Sequence, residues 1–318
     1  MAKFENYVPE GVIPAILLPF AEDLSIDAPA FKSHLLDVAS VEGLSALTLN
    51  AHSTEVSSCT FEEQERVLDI ALETVGDRIP IINGVYADGS LEAARIAAMA
   101  TKKGASCLLV FPPTVYRYGQ TPEMAIEHFR RISDASGLPI ILFQYPLASG
   151  MGYPMATLLK IMEAVPAVRA IKDGCGIPEQ HEAHIRTLQS LPNPVNVLST
   201  HSAWLYSSLV MGCNGLLSGS GSVIADLQAR LYRAVRAGDM ATATELHHRV
   251  SATSRVFYAD PKVNMHNRMK EALVLMGKLR CAAVRPPLMK LSSDEIARIG
   301  RAMTEAGLMP ASRLRNAA

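Results

Sequence analysis

The chain has 318 residues, of which 49% are apolar, 19% charged and only 6% aromatic. That aliphatic content fills a large core and excludes an intrinsically disordered chain. Thirty basic and thirty-one acidic residues leave a net charge of −1, which gives no bulk electrostatic reason to bind nucleic acid or an anionic membrane. The five cysteines (Cys59, Cys107, Cys175, Cys213 and Cys281) are odd in number and scattered, with no CxxC pair. They argue against a disulfide framework and a thiolate zinc site. No apolar stretch reaches the roughly 18 residues of a membrane span. The run 11–20 is broken by Pro14 and follows no basic region, so it is not a signal peptide. The chain reads as cytoplasmic.

Taken in order, short apolar runs alternate with longer amphipathic stretches. The runs are 12–18, 44–49, 79–83, 107–111, 139–145, 168–171, 195–198 and 215–217. Several lack polar alternation, as strands buried on both faces of a parallel sheet do. Helical patterns fall between them at 60–75, 91–103, 123–135, 155–164 and 202–211, and Thr60 with Glu63 forms a capping box at the first of these. Strand–helix units repeated eight times predict an α/β fold, a (β/α)8 TIM barrel of about 250 residues. A doubly wound sheet would need a Gly-rich fingerprint after the first strand, and none is there. From Met240 to about Leu308 the pattern is purely helical. The division expected is a barrel over 1–236 and a C-terminal helical layer over 237–318.

In such barrels the chemistry sits where strands end at their carboxyl side. This singles out residues 50–55, 111–118, 145–150, 172–175, 199–202 and 218–222. Lys172 is the sharpest of them. It follows Val168-Arg169-Ala170-Ile171 and so falls at the inner rim of the mouth, half surrounded by apolar strand residues. Burial there disfavours the ammonium form, and a neutral amine attacks ketones to give a Schiff base. The plainer alternative is a lysine paired with Asp173. Asn50-Ala51-His52-Ser53-Thr54-Glu55 clusters hydroxyls and amides near a helix start, suiting a carboxylate or phosphate, or simply an ordinary capping loop. Gly219-Ser220-Gly221-Ser222 is a second polar turn feeding a helix, where phosphate or close backbone packing would fit equally well. Among nine histidines no His-x-His pair follows the first strand, and His247-His248 lies on a late helix. A metal-dependent hydrolase is therefore not expected, and no cofactor is called for. His52 and His201 remain as substrate contacts or acid–base groups.

Ala170-Ile171-Lys172-Asp173, the 51–55 loop, Gly212-Cys213-Asn214-Gly215 through Ser218, Glu271, Gly277 and Arg285-Pro286-Pro287-Leu288 stand in an order and spacing that resembles one family. It is the dihydrodipicolinate synthase and N-acetylneuraminate lyase family of class I pyruvate-dependent aldolases, and the similarity runs from Gly11 to the C-terminal helices. The resemblance implies Lys172 as the Schiff-base lysine, a 51–55 loop that holds the pyruvate carboxylate, and a homotetramer built as a dimer of dimers. His52, Ser53, Thr54, Tyr116, Ser218 and Gly219 are the implied substrate contacts, with Tyr116 or Tyr118 helping across a subunit contact.

Departures from the family pattern are equally specific. Its Tyr-Asn-x-Pro stands here as Phe143-Gln144-Tyr145-Pro146, so the relay tyrosine is replaced by Phe143. Tyr145, two residues on and on the same strand face, becomes the candidate replacement, with His52 as the other. Ala148 occupies the place of the synthases' arginine for the aldehyde carboxylate, which argues against dihydrodipicolinate synthesis. Thr200-His201 stands where Gly-Asp is common, which weakens recognition of sugar hydroxyls. The reading reached is a Schiff-base lyase or aldolase (or hydratase-aldolase) joining or cleaving a 2-oxo acid such as pyruvate and an aldehyde, with Lys172 and Tyr145 catalytic. Its rivals are a 2-oxo-3-deoxy sugar acid dehydratase, a catalytically impaired 2-oxo-acid-binding barrel, and a sugar-phosphate isomerase using the 219–222 turn with Glu55 as its acid–base carboxylate.

Overall fold

The computed structural model describes Phe4 and residues 7–310. Eight parallel strands, β1 (Gly11–Pro14), β2 (Leu47–Leu49), β3 (Ile81–Val85), β4 (Cys107–Val110), β5 (Ile140–Gln144), β6 (Val168–Asp173), β7 (Asn196–Ser199) and β8 (Gly215–Ser218), pair with their sequence neighbours, and β1 pairs with β8. Hydrogen bonds from Ser45 N to Val12 O (3.0 Å) and Ile16 N to Thr48 O (2.9 Å) close the ring between β1 and β2. The crossover helices are α1 (Ala28–Ala39), α2 (Phe61–Val75), α3 (Ser90–Lys103), α4 (Pro122–Ser136), α5 (Met155–Ala164), α6 (Pro178–Leu188), α7 (Leu205–Val210) and α8 (Gly221–Arg236). This is a TIM barrel. The fold follows from the apolar runs, because strands covered on both faces need no polar residue on either.

Strand alternation sorts the apolar residues into two clusters. Ile13, Ile82, Leu109, Ile141, Ala170, Leu198 and Leu217 fill the barrel interior. Their strand neighbours, among them Val12, Leu108, Leu142, Ile171 and Leu216, face the helices in the larger outer core. On β5 and β6 this phase carries Phe143 and Lys172 inward at the carboxyl end, while Gln144 and Asp173 turn outward.

Two expectations need correction. The first strand ends at Pro14, and the apolar residues Ile16, Leu17 and Leu18 that follow are fully buried in the loop rather than in the ladder. The C-terminal layer is not purely helical: α9 (Met240–Phe257), α10 (Met265–Leu275) and α11 (Ser293–Glu305) are interrupted by a non-helical stretch, 276–292. Gly277 takes φ +76° there and Pro286-Pro287 cannot continue a helix.

That irregular stretch ties the layer to the barrel. The Arg285 guanidinium grips Glu63 in a fork of 2.6 and 2.7 Å and also donates to the Leu24 and Ser58 carbonyls. Lys270 on α10 is fully buried and bonds to Glu55, whose other carboxylate oxygen accepts from Arg285 N at 3.0 Å. Glu55 therefore sits in the joint between barrel and layer. Glu63 doubles as the capping-box partner of Thr60 at the start of α2. No described helix is long and apolar enough to cross a membrane.

Candidate active site

The carboxyl ends of the strands surround a cavity of about 540 Å³, roofed partly by the C-terminal layer. Its floor is set by the top of the interior cluster, Ala15, Ala51 and Phe143. The β2 loop reaches it through a tight approach to β3. Asn50 takes φ +49° and donates to Asn83 Oδ1 (2.8 Å) and Gln64 O (2.9 Å). Position 84 has to be glycine, because a Cβ there would fall 1.9 Å from the Asn50 carbonyl oxygen.

Lys172 is the cavity's principal cation. It is 6% exposed, its Nζ lies 4.2 Å from the centre of the Phe143 ring, and among the described residues no carboxylate lines the cavity with it. Burial alone lowers its pKa from 10.5 to about 7. Near neutral pH a large share of the amine is unprotonated and nucleophilic. The alternative pairing with Asp173 does not form. Asp173 faces the opposite side of β6, where its Oδ2 accepts from Nδ1 of both His181 (2.8 Å) and His184 (2.7 Å) on α6, and its Oδ1 accepts from Cys175 N (2.9 Å). Those imidazoles hold its carboxyl well below the usual range against the opposing effect of burial.

The two candidates for the missing relay hydroxyl meet. Tyr145 OH lies 3.2 Å from His52 Nε2, and the Tyr145 ring packs on Phe143 with centroids 4.5 Å apart. Burial, reinforced by the nearby Lys172, depresses the His52 imidazole to about 4, and burial pushes the Tyr145 phenol up. Both are neutral near pH 7, so the pair presents a phenol hydroxyl hydrogen-bonded to an uncharged imidazole, from which a proton can pass to a substrate oxygen. Ser53, 1% exposed, presents a buried hydroxyl that has no partner among the described residues. A buried orphan hydroxyl is costly unless something binds it, and an incoming carboxylate is a suitable acceptor.

Of the residues expected at the site, Lys172, Tyr145, His52, Ser53 and Gly219 line the cavity, and Thr54, Tyr116 and Ser218 do not. Thr54 Oγ1 is spent on the amide and carbonyl of Ala51, both at 2.7 Å, shaping the loop. Tyr116 donates to Met124 O at 3.2 Å and packs against Tyr153. Ser218 shares hydrogen bonds with Ser202 (3.1 Å) and Ser220 (2.9 Å). Glu55, needed by the isomerase alternative, is locked in the ion pair with Lys270 and takes no part in the cavity, which removes that alternative.

Sequence reasoning missed the outer wall. Trp204, at the start of α7, stacks on His201 with centroids 3.9 Å apart and planes 18° from parallel. Tyr258, Met265 and His266 arrive from the C-terminal layer. The Tyr258 hydroxyl accepts from Ser220 N at 3.2 Å, and a Cβ at position 219 would come within 3.2 Å of the His266 ring. Nothing local marks these residues, since they reach the mouth from outside the strand-end pattern. One described group, Asp173, Cys175 and His201, has donor atoms within 4.8 Å of one another, close enough for a metal ion. Its donors are already engaged: Asp173 by the α6 histidines, and His201 Nε2 by Gly176 N at 3.0 Å.

Comparison with known proteins agrees with this fold. The Dihydrodipicolinate synthetase family model matches residues 8–306. A 4-hydroxy-tetrahydrodipicolinate synthase of Maridesulfovibrio salexigens is 28% identical over 94% of this chain and 99% of its own length. Another, of Kineococcus radiotolerans, is 30% identical over 94% of each chain. Among solved structures, the E. coli K12 prophage protein YagE, of the dihydrodipicolinic acid synthase family and in complex with pyruvate, superposes with a TM-score of 0.87 at 24% identity, covering 94% of this chain and 99% of its own. The Thermotoga maritima dihydrodipicolinate synthase gives 0.86 at 23% identity, covering 95% and 100%.

Proposed function

The chain belongs to the dihydrodipicolinate synthetase family, and from that premise we propose that it is a lysine Schiff-base lyase joining or cleaving a 2-oxo acid, pyruvate or a close relative, and an aldehyde. The observation that carries this reading is Lys172: buried, without a carboxylate partner, depressed to about 7, and placed in the 540 Å³ cavity at the strand ends. In the proposed cycle the Lys172 amine condenses with the keto group and releases water. The imine then withdraws electrons from the carbon–carbon bond that forms or breaks. Ser53 Oγ donates to the 2-oxo acid carboxylate, and the His52–Tyr145 pair moves the proton at the aldehyde oxygen. The chemistry needs no cofactor and no metal.

Two features support a reaction other than the synthase reaction named for the curated relatives. The described cavity lining contains no arginine, and Ala148 is exposed and lies off the cavity. An aldehyde bearing its own carboxylate would therefore lack the forked partner that charge-assisted recognition favours. We place the protein in the cytoplasm and read it as a homotetramer, a dimer of dimers. Tyr118 (85% exposed) and Val115 (52%) lie beside the mouth with no cover in the single chain. A barrel that binds a 2-oxo acid without turnover is the second reading, favoured by Phe143 in place of a hydroxyl.

Borohydride reduction in the presence of pyruvate tests the proposal. Peptide mass mapping is expected to find the reduced adduct on Lys172 and on no other lysine. An unmodified Lys172 at saturating pyruvate rules the reading out. An adduct accompanied by no condensation with any aldehyde selects the second reading.

A further inference from the structure

Two halves of the cavity differ in chemistry. Around Lys172 lie the groups suited to a 2-oxo acid, the Ser53 hydroxyl and the His52–Tyr145 pair. Beyond them the described lining residues include no Asp, Glu, Arg, Asn or Gln. Few hydroxyls face that outer part: Ser202 is bonded to Ser218 at 3.1 Å, Tyr258 accepts from the Ser220 amide at 3.2 Å, and Thr200 completes the set. Trp204 there presents an aromatic plane nearly parallel to His201, and the Phe143–Tyr145 pair beside Lys172 supplies a second aromatic surface. Among the described lining residues the sole cation besides Lys172 is Lys262, which is exposed.

We infer that the aldehyde half of the substrate is an uncharged planar aromatic one, held against Trp204 and the Phe143–Tyr145 pair. This rests on the Schiff-base reading above. A polyhydroxylated aldehyde would bury hydroxyls against walls that offer few free partners, and each unpaired hydroxyl is penalised. A carboxylated aldehyde would find only the exposed Lys262 as a cation besides Lys172, and imidazoles that carry no charge near pH 7, since burial holds His52 and His201 at about 4 and His266 well below the ordinary histidine value. An aromatic ring instead gains offset stacking and apolar burial.

The step balances without an oxidant or other co-reactant. The Lys172 amine and pyruvate give the imine and one water. Loss of a methyl proton gives the enamine, whose carbon bonds to the aldehyde carbon while the aldehyde oxygen takes a proton from the His52–Tyr145 pair. One water then hydrolyses the imine, frees Lys172 and leaves a 4-aryl-4-hydroxy-2-oxobutanoate. The methyl proton restores the pair, and the reverse reaction breaks the same carbon–carbon bond.

The test pairs pyruvate with benzaldehyde, glyceraldehyde and aspartate semialdehyde and quantifies each hydroxy-oxo acid by mass spectrometry. Benzaldehyde is expected to have a kcat/KM at least ~10-fold above either competitor, the scale on which apolar pockets discriminate. Trp204 is the chain's only tryptophan, so its emission reports this wall directly. Benzaldehyde should quench it saturably, and glyceraldehyde should not. Trp204→Ala should raise the KM for benzaldehyde at least ~10-fold, with most of the loss recovered in Trp204→Phe. Preference for glyceraldehyde or aspartate semialdehyde, or a Trp204→Ala effect equal for all three aldehydes, overturns the inference. Trapping with pyruvate alone separates the failures: if the adduct forms and benzaldehyde still loses, only this inference falls, and if no adduct forms, the Schiff-base reading falls and takes the inference with it.

Discussion

Lys172 and Lys270 are both buried lysines, and the regions around them put that burial to opposite uses. At the barrel mouth Lys172 faces an aromatic ring and an open cavity, with no counter-charge among the described lining residues. At the joint between barrel and C-terminal layer Lys270 is fully buried but bonds to Glu55 and to the Ala283 carbonyl (2.9 Å). Burial pulls both pKa values down; at Lys270 the Glu55 carboxylate opposes it, and at Lys172 no counter-effect appears. Desolvation without a partner makes a nucleophile, and desolvation with one makes a structural tie.

Substitution of the mouth lysine is expected to have the largest effect on activity. Lys172→Met should eliminate the borohydride adduct and lower turnover on the scale of ~10⁶-fold, as loss of a covalent nucleophile does. The same variant should be more stable than the parent in urea denaturation, because it removes an unpaired buried amine. The sign follows from linkage: the folded pKa of about 7 lies below the ordinary 10.5, so the unfolded chain binds more protons between those values. The parent's deficit is complete below about pH 7 and is recovered as pH rises toward 10.5. A stability gain in Lys172→Met that does not shrink over that window would contradict the assignment.

At the joint the signs reverse. Lys270→Met strands the Glu55 carboxylate and should cost about 3–5 kcal/mol in urea denaturation, with trapping at Lys172 retained in the folded fraction. Replacing both partners by methionine should recover most of that loss, since a buried pair is often exchanged for apolar residues at little cost. A single variant as stable as the parent would dissolve the contrast between the two lysines. The smallest of the three effects concerns the relay. Tyr145→Phe should reduce condensation by ~10²-fold or more while slowing, not abolishing, adduct formation. His52→Ala should fall in the same range, because the two groups share one hydrogen bond. Double-mutant kinetics no worse than either single variant would mark them as a unit.

The barrel was legible because its signal is local. Apolar runs and amphipathic stretches repeat along the chain, and the carboxyl ends of those runs pointed to Lys172, His52, Ser53 and Tyr145 without reference to any contact. Period-two alternation also separates Lys172 from Asp173, and the structure puts them on opposite faces of β6. What stayed hidden depends on distant segments meeting. Tyr258, Met265 and His266 join the mouth through the packing of the C-terminal layer, which no run or spacing encodes, while Trp204 lies just past the strand-end segment 199–202. Thr54, Tyr116 and Ser218 stand in the strand-end segments, yet their hydroxyls satisfy the backbone or neighbouring side chains instead of facing the cavity. The sequence marks which segments border the mouth, and side-chain hydrogen bonding decides which groups look into it.

The claim that Lys172 is an unpaired, desolvated amine is tested most directly by the pH dependence of its reaction with pyruvate. The initial rate of borohydride-trapped adduct formation, followed by intact-protein mass between pH 5 and 10 on folded protein, should rise as the amine loses its proton and level off above an inflection near 7. An inflection close to the ordinary lysine value of 10.5, or a rate independent of pH across that range, would contradict the account.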